Sequence, residues 1–256
     1  MLAQQRQAAI VARVRNDGGV RVADLVADFG VSDMTIRRDL EALAERGLLA
    51  KVHGGATVVP PGSTDEPGFD AKAMRQRTEN AAIAARAAQL VAPGAAIALS
   101  AGTTTAELAR CLIGVTSLTV VTNSIPVAHV LYRAERTVIL TGGERTPSDA
   151  LVGPIAVAAI RGLHPDVLFL GVHGMSERAG FTTPNLMEAD TDRALVAAAQ
   201  RVVVIADSTK WGTVGIASIA ALPQADVLIT DSRLPEETRT RLRELVGELI
   251  VVEVEA

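Results

Sequence analysis

Apolar residues recur at helical spacing in the opening stretch of the chain. The first such segment, residues 4–16, ends at the turn-prone sequence Asp17-Gly18-Gly19. A second segment runs from residue 22 to residue 29, and Gly30 fits the left-handed position at which many helices end. The pattern predicts two helices and then a sharp turn.

A third helix is predicted directly after this turn. Ser32 is suited to begin it, because a serine hydroxyl can accept a backbone N–H of the first helical turn. Ile36, Leu40 and Leu43 share its inward face at i, i+4 and i+7. A tight β-hairpin is then predicted at residues 47–55. The pattern therefore indicates a helix-turn-helix followed by a wing.

From about residue 73 onwards, short β-branched runs alternate with helical runs. Strands are predicted at residues 95–99, 118–122, 137–140, 167–170, 202–206, 227–230 and 249–252. Helices are predicted at residues 75–91, 104–112, 188–199 and 236–246. Such alternation is typical of a mainly parallel α/β sheet with helices on both faces.

Three prolines and two glycines in residues 60–68 are typical of a linker. We therefore predict a winged helix-turn-helix domain at residues 1–58, a linker at residues 59–72 and an α/β domain at residues 73–256.

Composition gives no sign of a nucleic-acid partner, since the formal net charge is −4. The first 58 residues carry eight lysines and arginines against seven acidic residues, a balance of only +1. DNA binding must therefore depend on where the charges lie. The single cysteine, Cys111, rules out an internal disulfide and is expected in the core. With no signal-peptide pattern or membrane-length apolar run, a cytoplasmic protein is expected.

The exposed side of the third helix and the wing supply candidate DNA contacts. Recognition helices contact bases through their N-terminal residues, and arginine suits guanine edges and phosphates. The candidates for binding a double-stranded operator are Ser32, Asp33, Thr35, Arg37, Arg38, Lys51 and His53. Asp39 is expected to pair with an arginine one turn away. A protein-docking role for the unit is the alternative.

Small, polar and charged residues follow five of the predicted strands. Carboxyl ends of parallel strands meet at one edge of a sheet and form ligand sites there. The candidate effector contacts are Gly102, Thr103, Thr104, Thr105, Asn123, Ser124, Gly142, Gly143, Glu144, Asp207 and Lys210. Lys210 suits a phosphate, and Glu144 or Asp207 suits sugar hydroxyls, although Asp207 and Lys210 also fit a local ion pair. The histidine spacing indicates no metal site, and no cofactor is expected.

Several of these motifs resemble one known family. Val31-Ser32-x-x-Thr35-Ile36-Arg37-Arg38-Asp39-Leu40 with His53-Gly54-Gly55-Ala56 is similar to the N-terminal unit of the DeoR family of bacterial sugar-metabolism regulators. The later motifs Gly102-Thr103-Thr104, Thr141-Gly142-Gly143-Glu144 and Asp207-Ser208-x-Lys210 resemble its effector domain. The resemblance implies a second domain folded like ribose-5-phosphate isomerase that senses a phosphorylated sugar. Ser100 stands where the family usually has Asp.

Together these features predict a repressor of a carbohydrate-catabolism operon that a phosphorylated sugar releases from DNA. A homo-oligomer, dimer or tetramer, is expected from the usual symmetry of operators. One alternative is a sugar-phosphate isomerase with a DNA-binding appendage, for which Glu144, Asp207 and Glu188 are the candidate acids and bases. Another is an architectural DNA-binding protein that takes no ligand.

Overall fold

The computed structural model describes residues 3–46, 48–52, 54–57, 64, 68–69, 73, 76–134 and 136–254. The chain divides into two compact units, Met1–Gly62 and Ser63–Ala256. Most of the predicted linker, residues 59–72, lies outside the described residues, so its boundaries stay a prediction. Among the described residues, no helix has the length and apolar character needed to cross a membrane.

The first unit is a helix-turn-helix followed by a small sheet. Its elements are α1 (Ala3–Asp17), β1 (Gly19–Arg21), α2 (Val22–Phe29), α3 (Asp33–Glu45), β2 (Ala50–Val52) and β3 (Gly55–Thr57). The predicted helices and the wing are confirmed. β1 was not predicted; it pairs with β3 and completes an antiparallel sheet of order β1-β3-β2.

Backbone contact explains why the wing needs a glycine at position 55. A Cβ atom there would lie 2.1 Å from the carbonyl oxygen of Val20 on the neighbouring strand. The helices close over one apolar core, where Ile36, Leu40 and Leu43 are all buried. The inward face predicted for the third helix is therefore confirmed.

The second unit contains a seven-stranded parallel sheet. Its strands are β4 (Ala96–Leu99), β5 (Thr119–Thr122), β6 (Thr137–Leu140), β9 (Val167–Gly171), β12 (Arg201–Ile205), β14 (Val227–Asp231) and β15 (Glu248–Val252). The strand order is β15-β14-β12-β9-β4-β5-β6, with every neighbouring pair parallel. All seven predicted strands are confirmed to within two residues at their ends.

Helices cover both faces of this sheet. They are α4 (Arg77–Ala88), α5 (Thr103–Cys111), α6 (Ile125–Tyr132), α7 (Pro154–Arg161), α8 (Leu186–Ala198) and α9 (Glu236–Leu245). One buried cluster joins the sheet to α4, α5 and α6, and a second joins it to α7, α8 and α9. Cys111, at the end of α5, is exposed, so its expected place in the core was wrong.

The helices α6 and α7 lie between predicted strands, where helical stretches were expected but no bounds were given for these two, and five short strands of this unit were not predicted. The strands are β7 (Glu144–Arg145), β8 (Leu151–Val152), β10 (Gly174–Ser176), β11 (Gly180–Thr183) and β13 (Ala217–Ala220). β7 and β8 form a hairpin, whereas β10, β11 and β13 form an antiparallel sheet packed against the second cluster. Segments of two to four residues are too short to display an apolar-polar alternation.

Candidate functional site

The turn between α2 and α3 is built from local hydrogen bonds. Gly30 adopts φ 62° and ψ 32°, and its N–H donates to the Val26 carbonyl at 3.0 Å. The Ser32 hydroxyl oxygen caps α3 by accepting the Thr35 N–H at 3.3 Å, and the two hydroxyls lie 2.8 Å apart. This turn fixes the start of α3, where Ser32 and Asp33 are exposed.

Two of the predicted DNA-contacting cations are already paired with carboxylates. Arg37 binds Asp33 one turn earlier in α3, and the Lys51 Nζ lies 3.0 Å from Glu41 Oε1. Arg38 is exposed and has no ion pair within the described part of the chain. The face of α3 therefore holds one paired and one unpaired arginine side by side. His53 lies outside the described residues.

Asp39 differs from its expected role. It is buried and accepts hydrogen bonds from Arg6 Nε at 2.6 Å and Gln7 Nε2 at 2.9 Å, both on α1. The expected partner, an arginine one turn away on α3, was therefore wrong. The pair formed by Asp39 and Arg6 instead joins α1 to α3.

A cleft opens at the carboxyl ends of the central parallel strands. Its lining includes Gly102, Thr103, Thr104, Asn123 and Lys210 among the predicted effector contacts. Its volume is about 70 Å³. Side chains that the sequence did not place in the predicted site complete the wall, namely Phe69, Ser148, His173, Thr183, Glu188 and Asp192.

The start of α5 forms one end of this cleft. Thr104 Oγ1 donates to Asn80 Oδ1 at 2.8 Å, and Thr105 Oγ1 donates to the Gly102 carbonyl at 2.9 Å. Thr105 is buried and is absent from the described lining. The residues at the start of α5, Gly102 and Thr103, thus border the cleft.

Ser100 holds two neighbouring strand ends together. It is fully buried, and its Oγ accepts the N–H of Gly171, the last residue of β9, at 2.9 Å. Where the family resemblance leads one to expect a carboxylate, this chain therefore has a hydroxyl that joins the ends of β4 and β9.

The two residues after β5 have different surroundings. Ser124 caps α6 by accepting the Val127 N–H at 3.3 Å and is absent from the described lining of the cleft. Asn123 is 1% exposed and lines the cleft. Its Nδ2 donates to the Leu151 carbonyl at 3.3 Å, but its Oδ1 accepts no hydrogen bond among the described residues.

The segment from Gly142 to Glu144 forms a hairpin edge. Gly143 adopts φ 117°, and a Cβ atom there would lie 2.3 Å from the Val152 carbonyl oxygen. Glu144 is exposed and belongs to β7. Gly142, Gly143 and Glu144 are absent from the described lining of the cleft, so their contact with an effector stays a prediction.

Asp207 and Lys210 lie at the end of β12. Asp207 is buried and caps a short 3₁₀ turn (Ser208–Lys210) by accepting the Thr209 N–H at 3.0 Å. Its Oδ2 is 3.7 Å from Lys210 Nζ. The two residues thus form the local ion pair considered from the sequence, with Lys210 on the cleft wall.

Two carboxylates from α8 line the cleft: Glu188, which the sequence offered as a candidate acid or base of the isomerase alternative, and Asp192, which it did not single out. Glu188 accepts hydrogen bonds from the hydroxyls of Thr146, Ser148 and Thr183. Burial raises the pKa of Asp192 well above its usual range, and the nearby charge of Glu188 raises it further. Their i, i+4 spacing was the available signal, since it places both on one face of a helix.

The opposite side of α8 borders a second concavity. A groove of about 790 Å³ lies between α7 and α8, lined mainly by apolar side chains that include Val157, Leu163, Met187 and Ala194. Ile155 and Leu186 lie in the first turns of the two helices and are 69% and 63% exposed. Among the described residues, no group of three His, Cys, Asp or Glu side chains is arranged to hold a metal ion.

Comparison with known proteins matches two family models to two separate parts of the chain. Residues 6–61 match the model of the DeoR-like helix-turn-helix domain, and residues 75–232 match that of the DeoR C-terminal sensor domain. A putative aga operon transcriptional repressor from Escherichia coli O157:H7 is 33% identical and covers 97% of this chain and 93% of its own. The glycerol-3-phosphate regulon repressor of Escherichia coli K12 is 31% identical over an alignment that covers 90% of this chain and 92% of that repressor.

A solved structure, the ribose 5-phosphate isomerase A of Methanocaldococcus jannaschii, shares 17% identity with this chain. The alignment covers 52% of this chain and 54% of that enzyme, with a TM-score of 0.40.

Proposed function

The chain belongs to the DeoR family of transcriptional regulators, and we propose that it represses a carbohydrate-catabolism operon until a phosphorylated sugar or related metabolite binds. The observation that carries this proposal is the presence, in one chain, of a winged helix-turn-helix with an exposed α3 and a polar strand-end cleft. Two relatives named as repressors, one of an operon and one of a regulon, support the direction of control.

In this proposal α3 reads the operator. Recognition helices place their N-terminal residues against base edges in the major groove. Arg38 is exposed and unpaired among the described residues, so its guanidinium is available to a guanine edge or a phosphate. Arg37 is held by Asp33, which fixes its orientation on the same face. Lys51 in the wing binds a backbone phosphate in this proposal, exchanging its exposed contact with Glu41 for it.

The cleft of the second unit takes the effector. A helix N-terminus offers unpaired N–H groups and the positive end of the helix dipole, which together favour a phosphate. Here the start of α5 at Thr103 and Thr104 borders the cleft, and Lys210 adds a mobile cation on the same wall. The phosphate is therefore assigned to this end of the cleft.

Effector binding requires the cleft to widen. Its volume of about 70 Å³ is far below the roughly 300–1,000 Å³ of typical small-molecule sites. A sugar phosphate must therefore move lining elements apart. α8 is the movable wall in this account, because Glu188 and Asp192 face the cleft while Met187 and Ala194 face the groove.

The groove between α7 and α8 is where a second copy of the chain docks. Ile155 and Leu186 protrude beside a concave surface lined by Val157, Leu163 and Ala194, so the surface carries both a projection and a matching hollow. A twofold interface needs this kind of self-complementarity. Two copies would also present two α3 helices to a symmetric operator. Movement of α8 then links effector binding to that pairing.

A catalytic role is not part of this proposal. Of the three candidate acids and bases, only Glu188 lines the cleft, and hydroxyls of Thr146, Ser148 and Thr183 already bind its carboxylate. Glu144 lies on an exposed hairpin, and Asp207 caps a 3₁₀ turn beside Lys210. A poised general base needs an oxygen free to take the substrate proton.

The repressor function is tested by footprinting the full-length protein on the promoter region beside its own gene. We expect protection of two half-sites separated by about one helical turn of DNA, 10–10.5 base pairs, or a multiple of it. Arg38→Ala is expected to lose the protection. Glu237→Ala is the control, because that residue lies exposed on α9 in the other unit. If the folded wild-type protein protects no site, the proposed repressor function is contradicted.

Self-association is tested by sedimentation of the wild type and of Ile155→Glu. We expect a dimer or tetramer for the wild type and a smaller species for the variant. The matched control is Ile216→Glu, because Ile216 is 54% exposed but lies just before β13, outside the two helices that border the groove. Equal sedimentation of all three proteins would place the interface elsewhere.

A further inference from the structure

Asp192 is a buried carboxyl group without a partner. It is 7% exposed, lines the cleft, and makes no hydrogen bond or ion pair with any residue that the structure describes. Glu188, one turn earlier on α8, receives three hydroxyl donors. A buried carboxylate is stable only with a cation or hydrogen-bond donors, and otherwise it keeps its proton.

The neighbouring arginine does not fill this role. Arg193 pairs with Asp190, donates to the Ser218 carbonyl and lines the groove on the other side of α8. Lys210, on the cleft wall, has Asp207 at 3.7 Å. His173 also lines the cleft. The cations Arg193 and Lys210 are therefore each paired with a carboxylate other than Asp192.

A second acceptor in the same cleft also lacks a donor. Asn123 Oδ1 is buried and accepts no hydrogen bond among the described residues, although the amide nitrogen of the same side chain is engaged with Leu151. Such an orphaned acceptor is costly unless a bound molecule satisfies it. Two independent acceptors, Asp192 and Asn123, thus face the site proposed for the effector.

We propose that these acceptors bind an amino group of the effector, so that the ligand is an amino sugar phosphate and Asp192 determines its specificity. This inference rests on the proposed function. The anionic end of the ligand lies at the start of α5 with Lys210, and its ammonium group lies beside Asp192 and Asn123. A hydroxyl would bring no charge to two adjacent carboxyl groups, whereas an ammonium neutralises one of them.

Proton release should accompany binding of an ammonium group. Burial and the charge of Glu188 raise the pKa of Asp192, so this carboxyl keeps its proton to a higher pH than an ordinary aspartate does. A cation placed beside this carboxyl lowers its pKa and expels that proton. The charge of Glu188 raises the pKa of Asp192 and that of Arg193 lowers it, while His173 and Lys210 line the same cleft.

Calorimetric titration of the full-length protein tests the inference. The ligands are paired: glucosamine 6-phosphate against glucose 6-phosphate, and galactosamine 6-phosphate against galactose 6-phosphate. For at least one pair we expect the amino sugar to bind about tenfold tighter or more, since a charge-assisted hydrogen bond is formed. The phosphate group contributes equally to proton release in both members of a pair. Measurement in two buffers of different ionisation enthalpy is therefore expected to show more protons released by the amino sugar than by its hydroxyl counterpart.

Variants separate specificity from folding. Asp192→Asn keeps the shape of the side chain and is expected to reduce binding of the amino sugar about tenfold and to change binding of its hydroxyl counterpart less than about twofold. It is also expected to abolish the difference in proton release between the two ligands. Asp190→Asn is the matched control, because Asp190 lies on the groove side of the same helix. The paired-ligand comparison on the wild type stands even if a variant does not fold.

The outcomes distinguish this inference from the function on which it rests. Equal binding of both members of each pair would overturn the amino-group assignment and leave sugar-phosphate sensing intact. Preserved discrimination in Asp192→Asn would overturn the role of Asp192. Absence of binding for all four ligands, with operator binding retained, would overturn the inference together with hexose-phosphate sensing.

Discussion

Arg6 Nε lies 2.6 Å from Asp39 Oδ2, and both side chains are buried between α1 and α3. The pair joins the first helix to the helix proposed to read DNA. The ion pair holds the buried side of α3, whereas Arg37 and Arg38 lie on the exposed side of the same helix.

Removing one partner of this pair should destabilise the DNA-binding unit. Arg6→Met leaves the Asp39 carboxylate buried without its charge partner, and about 3–5 kcal/mol of unfolding free energy should be lost. Urea unfolding followed by circular dichroism measures this. Arg13→Met is the control, because Arg13 pairs with more exposed carboxylates and should cost about 1 kcal/mol or less. Similar losses in both variants would contradict a special role for the buried pair.

The two adjacent arginines of α3 should contribute unequally to operator binding. Arg38→Ala removes the unpaired guanidinium, and we expect about 1–3 kcal/mol, or roughly 5–150-fold, weaker binding. Arg37→Ala should weaken binding less, because the wild-type guanidinium is engaged by Asp33. Fluorescence anisotropy with a labelled operator at fixed salt compares the two. A larger loss for Arg37→Ala would reverse the assignment.

Ser100 should matter for stability rather than for effector affinity. Ser100→Ala removes the acceptor for the partly buried Gly171 N–H, so we expect a loss of about 1–3 kcal/mol in unfolding free energy. Ser218→Ala is the control; its hydroxyl donates to the Ala179 carbonyl at an exposed site and should change stability by about 0.5 kcal/mol or less. An unchanged melting temperature for Ser100→Ala would refute the structural role.

Asp192 should make stability depend on pH. Its pKa is raised in the folded chain, so between the unfolded and folded pKa values the folded state binds more protons and wild-type stability falls as pH rises. Asp192→Asn has no titrating group at this position, so its stability lacks this dependence on pH. The variant's advantage over the wild type should therefore grow from about pH 4, near the unfolded pKa of an aspartate, towards neutral pH. Guanidinium unfolding of both proteins at pH 4.5 and 7.5 measures the difference, and a shrinking advantage would contradict the shift.

The secondary structure of this molecule can be predicted from the sequence better than the lining of the cleft. The strands β4, β5 and β9 are short, mostly buried runs of apolar or β-branched residues, so they could be placed from local pattern alone. Glycines with one required backbone geometry, such as Gly30, were equally readable. The short strands β10 and β11 are held by contacts distant in sequence, and no local pattern encodes them.

The composition of the cleft depends on those distant contacts. Glu144 follows a strand and appeared suitable for a sugar hydroxyl, yet its hairpin carries it to an exposed edge. Asp192 lies mid-helix, far from any strand end in sequence, and reaches the cleft only because α8 packs across it. Likewise, Asp39 and Arg6 are 33 residues apart, so only the fold of the first unit brings them together.

Operator binding measured with and without a sugar phosphate tests the central claim most directly. Full-length protein is titrated onto a labelled operator at fixed salt, with each hexose 6-phosphate and hexosamine 6-phosphate in turn. The account predicts that at least one weakens operator binding by roughly 5–150-fold, the range expected for allosteric coupling of 1–3 kcal/mol. Lys210→Gln should bind the operator normally and lose the response. Operator affinity unchanged by every ligand, or a full response in Lys210→Gln, would contradict the account.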